Sequence, residues 1–286
     1  MTGNPQRLKA NRHQSFLGSY VYGHGFVLSA EDAAALIAAD SRNADVVRPY
    51  LVGEDLNQRP DGSPLRWVID FRDWPEERAA TYPLPFKRLE ETVRPVRAKL
   101  NRESYRRRWW QFAEPVPGMY GAIASLERAV VVARVSKTVQ PMLVDTGIVF
   151  NEKIVVFAYS DYRHFALLSS GIHRWWAVTH STTLRTDTQY TPTDCFETFP
   201  QPQLTGATAT LGGELNDHRS ALMLGRQEGL TTTYNRVHDP DDQSDDIIRL
   251  REIHAELDYA VADAYGWTDL ELDHGFHETK FGTRFT

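Results

Sequence analysis

Arg185, Asp187 and Gln189 stand two residues apart in the polar run 180–191, HSTTLRTDTQYT. In an extended segment a period of two puts all three side chains on one face. These are the groups that read base edges: Arg donates a bidentate pair to guanine, Gln matches adenine, and Asp accepts from the cytosine amino group. Thr183, just upstream, is grouped with them as a fourth candidate base contact. The same alternation is also ordinary for a solvated strand face, so spacing alone leaves both roles open. A second chemistry-bearing stretch is 87–108, with Lys87, Arg88, Arg94, Arg97, Lys99, Arg102, Arg106, Arg107 and Arg108 against Glu90, Glu91 and Glu103. Arg94, Arg97, Lys99, Arg102, Arg106, Arg107 and Arg108, with Lys137 further on, are the candidate phosphate contacts. A solvated charge run is the alternative.

The elements around these residues are those that would position them. Phe165, Leu168, Ile172, Trp175 and Trp176 recur at helical spacing, which predicts one helix over 164–178 leading into the polar run. Tyr190, Phe196 and Phe199 close the run, and Pro200 and Pro202 forbid a further helix. Leu89, Val93, Val96 and Leu100 predict an apolar helical stripe under the basic stretch, kinked or started at Pro95. Trp109 and Trp110 read as core rather than as base-stacking platforms, given the area they bury.

The segment 157–202, ending in QYTPTDCFETFPQP, resembles the target-recognition segment of the type IIL (MmeI-like) restriction–modification enzymes and their adenine-methyltransferase relatives. The likeness extends to RPYLVGEDLNQRPDGSPLRWVIDF, RRRWWQFAE, RAVVVARVSK and QEGLTTTYNRVHDPDD. It implies double-stranded DNA as partner, with Arg185 and Asp187 matching the two positions, i and i+2, that together select one base pair. It also implies a methyltransferase and nuclease part, in cis or in trans. S-adenosylmethionine and Mg²⁺ are expected only in that part, and no cofactor in this chain. The family's methyltransferases carry a glycine-rich cofactor loop and an Asn-Pro-Pro-Tyr-like motif. Here no Pro-Pro occurs, and Gly23-His24-Gly25 lacks the third glycine of a dinucleotide loop. Glu278-Thr279-Lys280 is the single triplet similar to a nuclease centre, without an upstream aspartate context. The expectation is a sequence-recognition module that is not catalytic alone. The alternatives are a methyltransferase component active only with a separate catalytic part, or a fragment that binds a full-length relative.

Composition fits that expectation. The chain has 286 residues, 41% hydrophobic and 24% charged, and a formal net charge of −6. The acid is concentrated after Gly229, in Asp239, Asp241, Asp242, Asp245 and Asp246, so the local basic stretch rather than the sum bears on phosphate binding. A single cysteine, Cys195, excludes an internal disulfide and reads as packed rather than reactive. His164, His173 and His180 lack paired ligand spacing. No apolar run has membrane-spanning length and the first residues are polar, so no membrane partner and a cytoplasmic location are expected.

Along the chain, residues 1–15 read as a tail or severed linker. A Ser29-capped helix runs to Ala39, strands are expected at 65–71, 128–137, 142–144, 148–150 and 154–159, and helices at 204–228 and from Asp246. Residues 231–246 read as a turn-rich connection. The fold class is α+β (mixed α/β): a recognition domain over 16–202 and an antiparallel helical pair over 203–286.

Overall fold

The computed structural model describes residues 5–184, 187–279 and 282–286. Its strands are β1 (Ser15–Leu17), β2 (Val27–Leu28), β3 (Val47–Leu51), β4 (Arg66–Ile69), β5 (Arg128–Ala133), β6 (Val135–Ser136), β7 (Met142–Asp145), β8 (Val149–Phe150), β9 (Ile154–Phe157), β10 (Thr182–Leu184), β11 (Asp187–Gln189), β12 (Phe276–Thr279) and β13 (Gly282–Phe285). The helices in the first half are α1 (Ala30–Ala39), α2 (Gly53–Gln58), α3 (Glu76–Ala79), α4 (Pro83–Thr92), α5 (Arg94–Arg97), α6 (Glu103–Arg107) and α7 (Pro117–Ile123). Those in the second half are α8 (Tyr162–Ser169), α9 (Gly171–His180), α10 (Gly206–Arg226), α11 (Leu230–Val237) and α12 (Asp245–Ala264). The class is α+β.

Two cores share a wall. In the first, the antiparallel sheet β1-β9-β5-β7 buries the valine run 130–132 against Phe165, Leu168, Leu215, Leu250 and Leu257. In the second, Phe26, Val68, Ile69, Leu89, Trp109 and Trp110 pack about the sheet β2-β4-β3-β8. The parallel pair β3–β8 separates them, with Tyr50 and Val149 in the second core and Leu51 and Phe150 in the first. That split is the alternation of a strand with both faces buried.

Four expectations are corrected. The segment before residue 16 is not a free tail: the Leu8 amide donates to the Glu197 carbonyl at 2.7 Å, and buried Asn11 donates to the carbonyls of Phe196 and Phe199. The helix expected over 164–178 is two, because Ser170 is extended (φ −68°, ψ 152°) and caps α9 by accepting from the His173 amide. That break turns Trp175 outward, 65% exposed. The connection expected over 231–246 contains α11, which buries Leu230, Thr233, Tyr234 and Val237. Finally, α10–α12 lie in the same core as β5 and β9 rather than apart from it.

Ser29 does cap α1, accepting from the Asp32 amide at 3.0 Å, and proline at the first turn of α4 and of α5 divides the basic stretch into short helices. The contact between α8 and α10 depends on Gly212, where a Cβ would land on the Tyr162 carbonyl oxygen and crowd the Ala166 Cβ. Alanine in a helix interior normally gains up to about 1 kcal/mol over glycine. Gly212→Ala is nevertheless expected to destabilise the chain by about 1–3 kcal/mol, because the obstacle is backbone that cannot repack. Urea unfolding of the two proteins measures it, and equal or greater stability would rule the close contact out.

Candidate nucleic-acid interface

Helix α9 leads directly into the strand pair β10–β11. Its last turn is fixed from below: Trp176 Nε1 donates to the Cys195 carbonyl (3.0 Å) and to Thr198 Oγ1 (3.2 Å), and Ser181 Oγ meets Cys195 Sγ at 2.7 Å. Cys195 is fully buried and burial pushes its thiol pKa up, so it serves packing. β10 starts directly after Ser181. The far end is fixed too. The Tyr190 amide donates to the Arg134 carbonyl at 2.7 Å, and the buried Tyr190 ring meets Phe157 edge-on. His173 Nδ1 donates to the Leu168 carbonyl, which leaves Nε2 to accept from the Tyr190 hydroxyl at 3.0 Å. Burial lowers the His173 pKa to about 4, so the imidazole is neutral and this tautomer is locked.

Between these anchors, β10 and β11 pair antiparallel, and β6 adds a third strand. The register is Thr182↔Gln189, Thr183↔Thr188 and Leu184↔Asp187, then Thr188↔Ser136 and Gln189↔Val135. Thr188 and Ser136 are buried, so one face of the sheet rests on the body. Asp187 and Gln189 are half-buried and share the other face. Their pairing partners are Leu184 and Thr182, and Thr183 pairs with Thr188. Arg185 lies outside the described residues. Asp187 Oδ1 is shielded and has no hydrogen-bond partner among the described residues. Exposed Lys137 directly follows Ser136, where β6 ends.

The basic stretch sits on the second core, and its members differ. Arg97 is 1% exposed, and its guanidinium donates to the carbonyls of Val21, Tyr22, Arg108 and Gln111 at 2.6–3.3 Å. A side chain enclosed in that way cannot reach a phosphate, and its assignment as a backbone contact is corrected. Arg94 and Arg107 are exposed but paired with Glu90 and Glu103 along their helices. Arg102 lies over the Tyr105 ring and donates to its hydroxyl, and Arg106 donates to the carbonyls of Leu100 and Asn101. Lys99, Arg102, Arg106 and Arg108 are exposed and have no carboxylate partner among the described residues. Trp109 and Trp110 are buried beneath them, and Trp110 Nε1 donates to the Trp74 carbonyl.

A family model described as MmeI, target recognition domain, matches residues 6–203. The chain belongs to that family. Among solved structures, the type IIL restriction–modification enzyme MmeI in complex with DNA is similar to this target recognition domain at a TM-score of 0.68 and 17% identity. The match covers 93% of this chain and 35% of that one, so the chain spans about a third of the enzyme's length. No curated protein matches. The matched family residues include both anchors of the hairpin and the whole basic stretch. Among the described residues no group of three or more His, Cys, Asp or Glu side chains is placed to hold a metal ion, and no helix is long and apolar enough to cross a membrane.

Proposed function

We propose that this chain is the DNA sequence-recognition module of a type IIL restriction–modification, adenine-methylating system, working with a methyltransferase and nuclease part in cis or in trans. The observation that supports it most is the hairpin held at both ends, with Asp187 and Gln189 on its open face and Lys137 alongside. A loop whose ends are buried presents its reading groups at little entropic cost, as preorganised recognition requires. Arg185 and Asp187 would choose a base pair, with Gln189 next to them, and Lys99, Arg102, Arg106, Arg107 and Arg108 would position the duplex by its phosphates. Arg94 belongs to the same group once DNA displaces Glu90. S-adenosylmethionine and Mg²⁺ chemistry would come from the catalytic part, since this chain carries neither the glycine-rich loop nor a Pro-Pro motif.

Duplex binding by the purified chain, followed by fluorescence anisotropy across a salt series, tests the assignment. Arg106→Ala and Arg107→Ala are each expected to weaken binding to all sequences alike and to flatten the log–log salt slope by roughly one unit. A changed preference among sequences with an unchanged slope would remove these residues from the phosphate role. Absence of any duplex binding that weakens with salt would overturn the proposal as a whole.

A further inference from the structure

α9, α12 and the end of β13 enclose a cavity of about 780 Å³. Its size falls within the range of small-molecule sites, roughly 300–1,000 Å³. Most of its wall is flat and apolar: Trp175 and Trp176 come from α9, while Tyr265 and Trp267 stack at 4.5 Å and 12° after α12.

The polar part of the wall is unbalanced in charge. Arg174 lines the cavity with its Nε shielded and unpartnered, and its guanidinium makes no hydrogen bond or ion pair among the described residues. Arg284 stands near enough to depress the Arg174 pKa further, after desolvation, and among the described residues its own guanidinium donates only to the neighbouring Thr283 carbonyl. Burial lowers His238 and His254 to about 3, and the Arg174 charge adds to it, so both imidazoles are neutral. Burial also lowers His274. Asp258 carries the one side-chain carboxyl in the lining, and its Oδ1 already accepts from the Gly171 amide at 2.7 Å. Gly171 admits that approach because a Cβ there would press against Asp258 Oδ2. Asp258 acts on Arg174 without pairing with it, so a half-buried guanidinium beside a second one, neither bonded to a carboxylate among the described residues, favours the arrival of an anion.

We propose that this cavity binds a small organic anion with a flat apolar body, its acidic group held by Arg174 and its body lying against Trp176 and Trp267. The occupant is of small-molecule size, and its recognition is independent of duplex DNA.

Two fluorescent probes of the same shape test it on the intact chain: 8-anilinonaphthalene-1-sulfonate, and the neutral N-phenyl-1-naphthylamine. One sulfonate probe per chain is expected, bound about tenfold more tightly than the neutral one, as for a hydrogen bond to a charged group. Arg174→Met should bring the two probes within about twofold of each other, Arg174→Lys should retain part of the preference, and Trp267→Ala should weaken both alike. A second arm needs no change at Arg174. Asp258 is pushed up to about 7 by burial, so it is largely neutral at pH 6 and charged at pH 8. Sulfonate affinity should therefore fall several-fold between these values, as a like charge appears beside the anion, and Asp258→Asn should abolish the fall. Equal affinity for both probes in the unsubstituted chain, several sulfonate probes per chain, or a sulfonate preference that survives Arg174→Met would overturn the proposal.

Discussion

Arg97→Ala is expected to destabilise the chain by about 3–5 kcal/mol, in the exceptional range for one substitution. Arg97 is the largest fully buried side chain, and it links the carbonyls of Val21 and Tyr22 to those of Arg108 and Gln111, segments more than seventy residues apart. Truncation strands the buried carbonyls of Val21 and Gln111 and the part-buried carbonyl of Tyr22, while that of Arg108 keeps the Gln111 amide. Burial pushes the Arg97 pKa down to about 10, which still leaves it protonated at neutral pH. Lysine has one donor point instead of a planar fork, so Arg97→Lys should recover less than half of the loss. Lys99→Ala and Arg107→Ala, exposed neighbours of the same charge, should stay within about 0.5 kcal/mol of the parent. Urea denaturation separates the three cases. An Arg97→Ala protein as stable as Lys99→Ala would show that the buried guanidinium contributes nothing.

The second large effect concerns which bases are chosen. Exchanging the hairpin charges, Arg185→Asp together with Asp187→Arg, is expected to change the preferred base pair at one position of the bound site. The discrimination involved is about 1–3 kcal/mol, the difference between a good bidentate contact and the wrong base. Each residue also excludes the opposite orientation, because the mismatched base would bury a donor or acceptor without a partner. Selection from a duplex pool randomised across the site reads the outcome directly. If Arg185 and Asp187 only pair with each other at the surface, the exchanged protein selects the original sequence at full strength, and the specificity role is refuted.

What was legible in the sequence was local. Ser29 announces α1 because a cap needs only its own amide neighbours, and the valine run 130–132 announces β5 because a strand covered on both faces is apolar at every position. The period of two places Asp187 and Gln189 on one face of β11, which is as far as spacing reaches. Long-range partners carried no such signal. Arg97 is one of nine basic residues within 87–108, and what distinguishes it is the set of carbonyls delivered from residues 21 and 22. Ser170 was hidden for the opposite reason: serine is tolerated in a helix, so the extended backbone that ends α8 and caps α9 left no mark in the helical spacing of 164–178. Three threonines at 231–233 weaken helix propensity, and the packing of Tyr234 and Val237 outweighs it. The cavity was invisible for the same reason as Arg97, since Arg174, Asp258 and Trp267 meet only in three dimensions.

The two buried anchors of the hairpin bear on how such a protein could evolve. Trp176 and Ser181 on one side, and Tyr190 with His173 on the other, fix where the chain leaves the body and where it returns, using residues outside the eight that lie between them. Selection can therefore act on 182–189 as on an exchangeable cassette. If 182–189 holds the reading groups, substitutions at its half-buried positions Asp187 and Gln189 would change one of them without moving the frame, whereas buried Thr188 belongs to that frame.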